Sequence, residues 1–521
     1  MLVHVESKSL LLRVREPSLI QAVIPKHKLL DFQGHNIAVP HTIEATKILR
    51  NMGVDAPSPI LYHYSWPGKF KALDHQKDTA QFLTLNRRGW VLNETGTMKT
   101  ASSLWAADYL MSLGLVRKVL VASTLSSLEH TWLREVFNVL MHRSAVVLYG
   151  TREQRLDRLA TAADFYIINH DGIGVIYDEL RARQDIDLII LDEASFYRSG
   201  TTQKYKLMEG LLAPTRSGTV RRFWPMTATP CPNAPTDAYA VSKLVSPERV
   251  PQYFNQFKRH TMLQITQYKW VPKPDAYETA YNAMQPAVRY RKEDCLDLPP
   301  MVIEERTGEL SKEQKSAFEL MRKHLVMEAK AGVTVTAVNA ADKINKLRQI
   351  LCGAVKNPDT GDYSVLPHQP RLDLLVECIG LAAAKVIVIV PFKGIITPLA
   401  EELRQFYTCE VMNGDVTPKR RNEIVQDFKT QKDPHVLLCH PKVVSHSLTL
   451  TEADMLIFYA PIYSNDEAMQ VVERINRPGQ TKKMTIIRMA CHPLEWGIYA
   501  TLDAKQQGQA SILELYRQVI S

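Results

Sequence analysis

A short loop at residues 93–100, with the sequence NETGTMKT, combines residue types that can bind a phosphorylated ligand. Apolar residues 91–92 precede the loop, and a helix-forming run at 101–110 follows it. Backbone N–H groups at the start of a helix attract anions, and the helix dipole adds to this attraction. Lys99 is expected to reach the β- and γ-phosphates of a nucleotide, and the Thr100 hydroxyl to bind Mg²⁺. The nucleotide contacts expected from the loop are Thr95, Gly96, Thr97, Met98, Lys99 and Thr100.

The loop departs at two positions from the usual phosphate-binding pattern, G-x-x-x-x-G-K-[ST]. Asn93 and Met98 stand where that pattern has glycine. A side chain at position 98 lies next to Lys99, where glycine normally lets the backbone approach phosphate closely. We expect the loop to keep its phosphate-binding shape with the Met98 side chain turned away from the phosphates, while Gly96 supplies any positive φ.

Two carboxylates follow a strand-like run further along the chain. The apolar residues 188–191 lead directly into Asp192 and Glu193. An ATPase needs such a pair beside its phosphate loop: Asp192 would hold Mg²⁺, directly or through water, and Glu193 would orient the attacking water. Asp192 and Glu193 are therefore candidate catalytic residues, together with Lys99.

Hydroxyl side chains end another predicted strand. Residues 225–230, with the sequence PMTATP, place Thr227 and Thr229 just after it. Small hydroxyl residues at a strand end can relay a change in the nucleotide site to another lobe. Thr227 and Thr229 are candidates for this coupling.

Three polar side chains near the C-terminal end recur at helical spacing. Gln470, Arg474 and Arg477 are separated by four and three residues, so they share one helical face. Two arginines on one face can enter a nucleotide site and stabilise the charge on the γ-phosphate. Arg474 and Arg477 complete the candidate catalytic set, and Gln470 is a candidate ATP contact.

The composition favours a polyanionic partner in a reducing compartment. The 521 residues carry a formal net charge of +9 with a pI near 9.0, which favours nucleic acid before a membrane surface. Seven cysteines are scattered without a C-x-x-C pair, which argues against a zinc site and a disulfide framework. No apolar run approaches the ~20 residues of a membrane span, and the charged N-terminus is unlike a signal peptide. We expect a cytoplasmic protein of a bacterial cell or a virus-infected host cell, with the nucleus less favoured.

Apolar, β-branched runs alternate with helical patterns in two blocks, which predicts an α/β fold with parallel sheets covered on both faces. The runs lie at 89–92, 118–122, 145–148, 165–169, 188–191 and 223–227, and then at 386–390, 436–439, 455–459 and 484–488. A mostly helical stretch separates the two blocks. The predicted domains are a small N-terminal α+β domain at 1–68, a first lobe at 69–245, a helical insertion at 246–365, a second lobe at 366–505 and a tail at 506–521.

The order of these motifs resembles that of superfamily-two helicases, specifically their Swi/Snf-type branch of double-stranded DNA translocases. Residues 470–480 (QVVERINRPGQ) are similar to the Q-x-x-x-R-x-x-R-x-G-Q signature of that branch. Residues 289–294 (RYRKED) are similar to its R-R-x-K-E-D segment, and residues 347–350 (LRQI) to its L-R-Q helix. The resemblance covers about residues 70–505 and implies two RecA-like lobes, with ATP and Mg²⁺ in the cleft between them and duplex DNA across both.

The same resemblance implies further site residues. Gln76, in the sequence DHQ, looks like the glutamine that reads adenine. Ser123 and Trp132 lie in a segment similar to the motif that touches the tracking DNA strand. Residues 445–450 (SHSLTL) stand where the family has G-x-G-x-N-L, a stretch that contacts the DNA backbone, and their hydroxyls could still donate to phosphates. The DNA contacts expected in the second lobe are Lys442, Ser445, Ser447 and Thr449.

The function implied is a DNA-stimulated ATPase that translocates on duplex DNA and remodels DNA or protein–DNA complexes by branch migration, annealing or protein displacement. Three alternatives stay open: a single-strand DNA or RNA helicase of another superfamily-two branch, a motor subunit of a restriction or defence complex, and a non-hydrolysing ATP-binding DNA clamp. Short flanks without a chromatin-reading module favour a compact bacterial or viral enzyme. The expected partners are double-stranded or branched DNA, with the N-terminal domain a candidate site for a protein partner and no membrane.

Overall fold

Two compact units make up the chain in the computed structural model, one ending at Cys295 and the other beginning at Leu296. The structure describes residues 1–214, 218, 220–267, 269–295, 299–330, 337–357, 361–444, 450–462, 464–477 and 480–503, with the backbone alone for 324–330, 337–343, 418 and 466. The predicted tail at 506–521 therefore lies outside the described residues. None of the helices within the described ranges is long and apolar enough to cross a membrane.

The N-terminal part of the first unit is a four-stranded antiparallel sheet in the order β1-β2-β4-β3, with two helices. Its elements are β1 (Leu2–His4), β2 (Ser9–Leu12), α1 (Pro17–Val23), β3 (Lys28–Phe32), β4 (His35–Pro40) and α2 (Ile43–Asn51). The Thr42 hydroxyl accepts the Ala45 N–H (3.2 Å) and so caps α2. Leu10, Ile37 and Leu49 are completely buried in its own small core. This agrees with the predicted α+β arrangement.

A parallel sheet forms the centre of the first unit, in the order β10-β9-β6-β8-β7. The remaining strands of the first unit are β5 (Trp90–Val91), β6 (Lys118–Ser123), β7 (Ala145–Leu148), β8 (Phe165–Asn169), β9 (Ile186–Leu191), β10 (Arg222–Pro225), β11 (Met262–Gln264), β12 (Trp270–Pro272) and β13 (Ala287–Val288), of which β11 and β12 form a separate antiparallel hairpin. The short strand β5 extends this sheet, because a parallel bridge joins Val91 to Met226 just beyond β10, and β13 pairs with β5 on its other side.

Helices cover both faces of this sheet. They are α3 (Ile60–His63), α4 (Asp74–Leu85), α5 (Lys99–Ser112), α6 (Arg134–Val139), α7 (Arg152–Ala160), α8 (Gly172–Val175), α9 (Tyr177–Ala182), α10 (Gln203–Leu212), α11 (Tyr239–Val245), α12 (Phe254–Thr261), α13 (Ala276–Ala283) and α14 (Lys292–Cys295), with shorter helical turns at Leu125–Ser127, Leu128–Leu133, Ala194–Tyr197, Pro235–Ala238 and Pro247–Arg249. Successive residues of β6, Val119 and Leu120, are buried in different core clusters on opposite faces. Burial on both faces explains why the central strands are apolar throughout.

The second unit contains a six-stranded parallel sheet in the order β14-β21-β20-β17-β19-β18. Its strands are β14 (Met301–Thr307), β15 (Ala354–Lys356), β16 (Tyr363–Val365), β17 (Lys385–Ile389), β18 (Cys409–Met412), β19 (Val436–Cys439), β20 (Ala453–Phe458) and β21 (Met484–Ala490), of which β15 and β16 form a separate hairpin. Its helices are α15 (Lys312–Lys330), α16 (Ala337–Cys352), α17 (Gln369–Gly380), α18 (Lys393–Leu403), α19 (Pro418–Thr430), α20 (Pro441–Val444) and α21 (Asn465–Ile475). The predicted α/β class, with one parallel sheet in each block, is confirmed.

The stretch predicted as a helical insertion, residues 246–365, is divided between the two units. Its first part contains the β11–β12 hairpin and β13, and it belongs to the first unit because β13 pairs with β5. Its second part begins with β14, which is an edge strand of the second sheet. Two-residue and three-residue strands carry too little pattern to be read as strands, and β14 contains charged residues because it lies at the edge.

A buried ion pair fixes α17 against the end of the second sheet. The Arg371 guanidinium, with no exposed surface, contacts the Glu495 carboxylate, of which 2% is exposed. Arg371 also donates to the Tyr459 C=O at the end of β20, and Glu495 accepts the Cys491 N–H (2.8 Å) after β21. The pair therefore connects three segments of the second unit.

Replacement of Glu495 by alanine should destabilise the second unit by about 3–5 kcal/mol, because it leaves a buried guanidinium without its counterion. Asp415→Ala is the matched control: Asp415 pairs with Lys393 at 2.6 Å, but these side chains are 62% and 50% exposed. Its loss should cost about 0–1 kcal/mol. Chemical denaturation measures both variants, and equal destabilisation by the two would contradict the structural role of the buried pair.

Candidate active site

Three segments that carry candidate residues leave neighbouring strands at one edge of the first sheet. The Thr227 N–H donates to the Val91 C=O (3.0 Å), which places the segment after β10 beside the phosphate loop. The Ala194 N–H donates to the Met226 C=O (2.9 Å), which places the acidic pair on its other side. The carboxyl ends of parallel strands are where α/β proteins bind ligands.

At position 98 the phosphate loop has a backbone conformation that glycine would favour. Met98 lies in the left-handed helical region, with φ 57° and ψ 43°, immediately before α5 begins at Lys99. Gly96 also has a positive φ, of 90°. The left-handed conformation costs a non-glycine residue about 1–2 kcal/mol, which explains the usual glycine at position 98. The Met98 side chain is 38% exposed, and its expected direction away from the phosphates stays a prediction.

Asn93, at the other position where glycine is usual, anchors the loop. Its side chain is fully buried, donates to the Thr79 hydroxyl (2.8 Å) and accepts the Tyr290 N–H (3.0 Å). The Asn93 C=O accepts a hydrogen bond from the Lys99 Nζ (2.8 Å), so the Lys99 ammonium lies within the loop. An arriving phosphate would compete with this carbonyl for the ammonium group.

Glu94 connects the loop to the segment that leads toward the second unit. Its carboxylate accepts one hydrogen bond from the Arg289 guanidinium (3.0 Å) and one from the Lys292 N–H (3.0 Å). The Glu94 N–H donates to the Tyr290 C=O (3.0 Å). Arg289 is 8% exposed. The motif at 289–294 was visible in the sequence, but its contact with Glu94 was not, since the two lie 195 residues apart.

Helix α4 holds the loop from a further side. The His75 Nε2 lies 3.0 Å from the Thr97 C=O, and the Gln76 amide donates to the Met98 C=O at 3.5 Å. Gln76 also accepts the Leu73 N–H (2.9 Å) and is 2% exposed. The adenine contact expected of Gln76 stays a prediction; in this conformation its amide contacts the loop and the start of its own helix.

Asp192 is held by side chains from two other segments. Its Oδ2 accepts hydrogen bonds from the Ser123 hydroxyl (2.9 Å) and the Trp132 indole N–H (2.9 Å). Its Oδ1 accepts the Glu193 N–H (3.1 Å). Three of roughly four acceptor positions on the carboxylate are therefore used, which orients the carboxylate and leaves capacity for one further ligand.

Ser123 and Trp132 consequently belong to the acidic end of the site. Both were expected to contact DNA, but both are completely buried. In this structure both side chains donate to the Asp192 carboxylate, and their expected contact with DNA stays a prediction. Trp132 lies on the helical turn Leu128–Leu133. Because Asp192 is 60 residues further along the chain, no sequence pattern predicts the hydrogen bond between them.

The remaining first-unit candidates lie close to these groups. Thr227 and Thr229 are buried, and the Thr227 hydroxyl accepts the Thr229 N–H (3.1 Å). Glu193 has a positive φ of 52°, a conformation that turns the chain sharply after β9. Thr95 and Thr100 are half-buried, and Thr100 lies in the first turn of α5. Within the described ranges no cluster of three or more His, Cys, Asp or Glu side chains could hold a metal.

This donor set fits Mg²⁺ bound together with a nucleotide. Mg²⁺ usually takes one or two protein oxygens and completes its shell with water and substrate phosphates. The Thr100 hydroxyl and the oriented Asp192 carboxylate supply oxygens of the type that it prefers.

Two arginines lie at the end of α21 in the second unit: Arg474 is in its last turn, and Arg477 follows after the helix has ended at Ile475, so the helical face expected to carry both stops before Arg477. Arg474 is 6% exposed, and the Arg477 guanidinium donates to the Glu473 C=O (2.9 Å). Burial and, after it, the positive charge of Arg474 lower the pKa of Arg477 to about 9. An anion between these two guanidinium groups would relieve the repulsion that depresses the pKa. The expected role of this pair at the γ-phosphate stays a prediction.

The other second-unit candidates lie near this helix in sequence. Gln470 is half-buried on α21, and Lys442 is exposed on α20. The predicted DNA contacts Ser445, Ser447 and Thr449 lie outside the described residues.

Comparison with known proteins identifies two families along the chain. Residues 46–357 match the SNF2-related domain, and residues 371–479 match the helicase conserved C-terminal domain. An ATPase core of the SWI2/SNF2 type from Sulfolobus solfataricus, solved in complex with double-stranded DNA, aligns at 16% identity with a TM-score of 0.41, covering 81% of this chain and 88% of that one.

Relatives with similar sequences come from bacteria and a phage. An uncharacterised ATP-dependent helicase of Mycoplasma genitalium is 22% identical over 438 residues, which cover 81% of this chain and 40% of the relative. Putative protein p41 of Acyrthosiphon pisum secondary endosymbiont phage 1 is 24% identical over 400 residues, covering 74% of this chain and 84% of the relative. The chain thus spans less than half of the Mycoplasma relative's length and most of the phage protein's.

The contact between Trp132 and Asp192 predicts a change in Mg²⁺ dependence. In Trp132→Phe the ring remains but its N–H donor is lost, so the Mg²⁺ concentration for half-maximal ATP hydrolysis should rise about 10-fold or more. Trp105→Phe is the matched control, because Trp105 is equally buried and donates to the Pro67 C=O (2.9 Å) away from Asp192. An unchanged Mg²⁺ requirement in Trp132→Phe would show that the indole N–H does not orient Asp192 for metal binding.

The left-handed conformation of Met98 predicts a gain in stability from glycine. Met98→Gly should raise the free energy of unfolding by about 1 kcal/mol, because glycine adopts this conformation without strain. Met98→Ala keeps a Cβ and serves as the control. Thermal unfolding of both variants measures the difference, and a glycine variant no more stable than the alanine variant would show that residue 98 is not strained.

ATP hydrolysis by Met98→Gly should rise modestly; an increase by several orders of magnitude would mark the natural protein as a damped ATPase.

Proposed function

Because the chain belongs to the SNF2-related family, whose domain matches more than half of its residues, we propose that it is a DNA-stimulated ATPase that translocates on duplex DNA. The family membership inferred from the motifs is confirmed, and with it an ATP-dependent, helicase-like enzyme. Remodelling of DNA or of protein–DNA complexes is the proposed output of this movement.

One observation supports the proposal above others. The loop carrying Lys99, the segment carrying Thr227 and the acidic pair led by Asp192 leave adjacent strands in hydrogen-bonded order. In the proposal, this edge of the sheet carries the phosphate-binding loop, the carboxylate for a metal and the relay segment. The segment proposed to bind the nucleotide and the segment proposed to respond to its hydrolysis are therefore joined directly by backbone hydrogen bonds.

In the proposed cycle, Lys99 exchanges its bond with the Asn93 carbonyl for the β- and γ-phosphates of ATP. Glu193 orients the attacking water, and Arg474 and Arg477 neutralise the charge that develops on the γ-phosphate. Mg²⁺, when bound, supplies Lewis-acid stabilisation of the phosphate oxygens. The buried hydroxyls of Thr227 and Thr229 would respond to the departure of the γ-phosphate and pass this change to the DNA contacts.

The affinity for DNA should come mainly from contacts with the phosphates. The formal charge of +9 favours a polyanion, and contacts to the backbone are independent of base sequence. Binding should therefore tolerate any sequence and weaken steeply with salt. The relatives named as ATP-dependent helicases are consistent with nucleic-acid-linked ATP use.

A panel of nucleic acids tests this function directly. ATP hydrolysis should be slow alone, fastest with blunt or forked duplex DNA, and weaker with single-stranded DNA or RNA. Lys99→Ala should lower the stimulated rate by about 10²-fold or more, since it removes a cation from the phosphates. Lys118→Ala is the matched control, because Lys118 also donates to a backbone carbonyl (Ala163, 2.6 Å) and lies at the opposite end of a strand of this sheet. If no polynucleotide raises the rate, the motor function is wrong.

Displacement of a third strand from a DNA triplex then separates movement from strand separation. Translocation should release the third strand while the underlying duplex stays paired. Rapid hydrolysis with the third strand still in place would exclude translocation, and release of single strands from a plain duplex would favour a helicase of another branch.

A further inference from the structure

A continuous stretch of the first unit contains no acidic residue. Residues 249–274 include five lysine or arginine residues and one histidine, but no aspartate or glutamate. The chain as a whole is much more balanced, with 64 basic and 55 acidic residues. A stretch with this charge favours contact with a polyanion.

The structure folds this stretch into a short helix and a hairpin that contact each other. Helix α12 ends in three consecutive basic side chains, Lys258, Arg259 and His260, and the β11–β12 hairpin follows directly. The Lys258 ammonium lies 4.1 Å from the centre of the Trp270 ring, a cation–π contact between helix and hairpin. These contacts hold the hairpin in a defined position.

A second pair of contacts closes the base of the hairpin onto the helix. The Lys273 N–H donates to the Thr261 C=O (3.0 Å), and the Lys273 Nζ donates to the Arg259 C=O (2.6 Å). Two of the five basic residues, Lys258 and Lys273, are thus used in assembling the element. Arg249, Arg259 and Lys269 are exposed and available to an external partner.

The end of the hairpin also exposes apolar side chains. Leu263 is 52% exposed and Ile265 is 53% exposed, and the turn between the strands is closed by the Ile265 N–H donating to the Lys269 C=O (2.9 Å). Residue 268 lies outside the described residues. The hairpin thus combines exposed aliphatic surface at Leu263 and Ile265 with the exposed cation Lys269.

We propose that the element formed by α12 and the β11–β12 hairpin, residues 254–267 and 269–272, binds DNA where its strands part. Arg259 and Lys269 contact phosphates, and Leu263 and Ile265 pack against bases exposed at the branch point. Apolar side chains that insert at base steps are a known means of contacting unstacked DNA, whereas cations alone would suit an intact duplex equally well. The inference rests on the proposed function for its choice of DNA, and it adds a preference for branched over linear duplex.

Binding of fluorescent DNA to the full chain in the absence of ATP tests this inference. Wild-type protein should bind a forked duplex more tightly than a blunt duplex of equal length. The variant Leu263→Ser/Ile265→Ser should bind the fork about 5-fold more weakly, with little change for the blunt duplex, because only the fork exposes bases. The variant Arg259→Gln/Lys269→Gln should weaken both, with the slope of log affinity against log salt falling by about 1 for each cation removed.

The β15–β16 hairpin of the second unit offers a matched control. Val365, 46% exposed, and the exposed Lys356 allow the variant Lys356→Gln/Val365→Ser, which should bind both DNAs like the wild type. Fork binding that is unchanged in Leu263→Ser/Ile265→Ser overturns the proposal, as does an unchanged salt slope in Arg259→Gln/Lys269→Gln or the absence of any DNA binding. If both hairpin variants weaken DNA binding as expected while no DNA stimulates ATP hydrolysis, the hairpin proposal is supported and the proposed motor function is wrong.

Discussion

The phosphate loop follows β5, a strand of only two residues, and its position depends on how that strand is held. Strand β5 lies between the segment after β10, whose Thr227 N–H it accepts at Val91, and β13, with which it pairs in parallel. Neither contact is local: both partners come from distant parts of the first unit. The backbone bonds on the two sides of β5 therefore determine where the loop begins and which way α5 points. Every candidate contact of Lys99 and Thr100 depends on that placement.

The two departures from the usual loop pattern have different physical consequences. Asn93 replaces a glycine but uses its side chain to join α4 and the segment after β13, so the substitution adds contacts. Met98 stands where glycine is usual and has a left-handed backbone, so it stores strain at the residue before Lys99, the candidate catalytic lysine. Asn93 thus adds hydrogen bonds that hold the loop in which Met98 has a left-handed backbone.

The fold was predictable where burial is complete, and the site was predictable where its signal is local. Strands such as β8 and β19 were located to the residue, because strands buried on both faces are apolar throughout. Strands β13 and β18 and the β11–β12 hairpin were missed, because each is short and its pairing is decided by tertiary contacts. Lys99 and Asp192 stand in compact motifs. The hydrogen bonds from Arg289 to Glu94 and from Trp132 to Asp192 join residues 195 and 60 positions apart, and no periodicity encodes them.

The distance along the chain between Glu94 and Lys292, 198 residues, has a consequence for synthesis. A ribosome adding about 5–20 residues per second needs about 10–40 s to pass from one to the other. During that interval the nascent chain carries a complete loop sequence without β13 or the Arg289 side chain that hold the loop in place. A fragment that stops at residue 245 would contain every candidate nucleotide contact of the first unit and still lack the strand that supports them. The first unit's part of the candidate nucleotide site is therefore completed late in biosynthesis, only when the end of that unit has emerged.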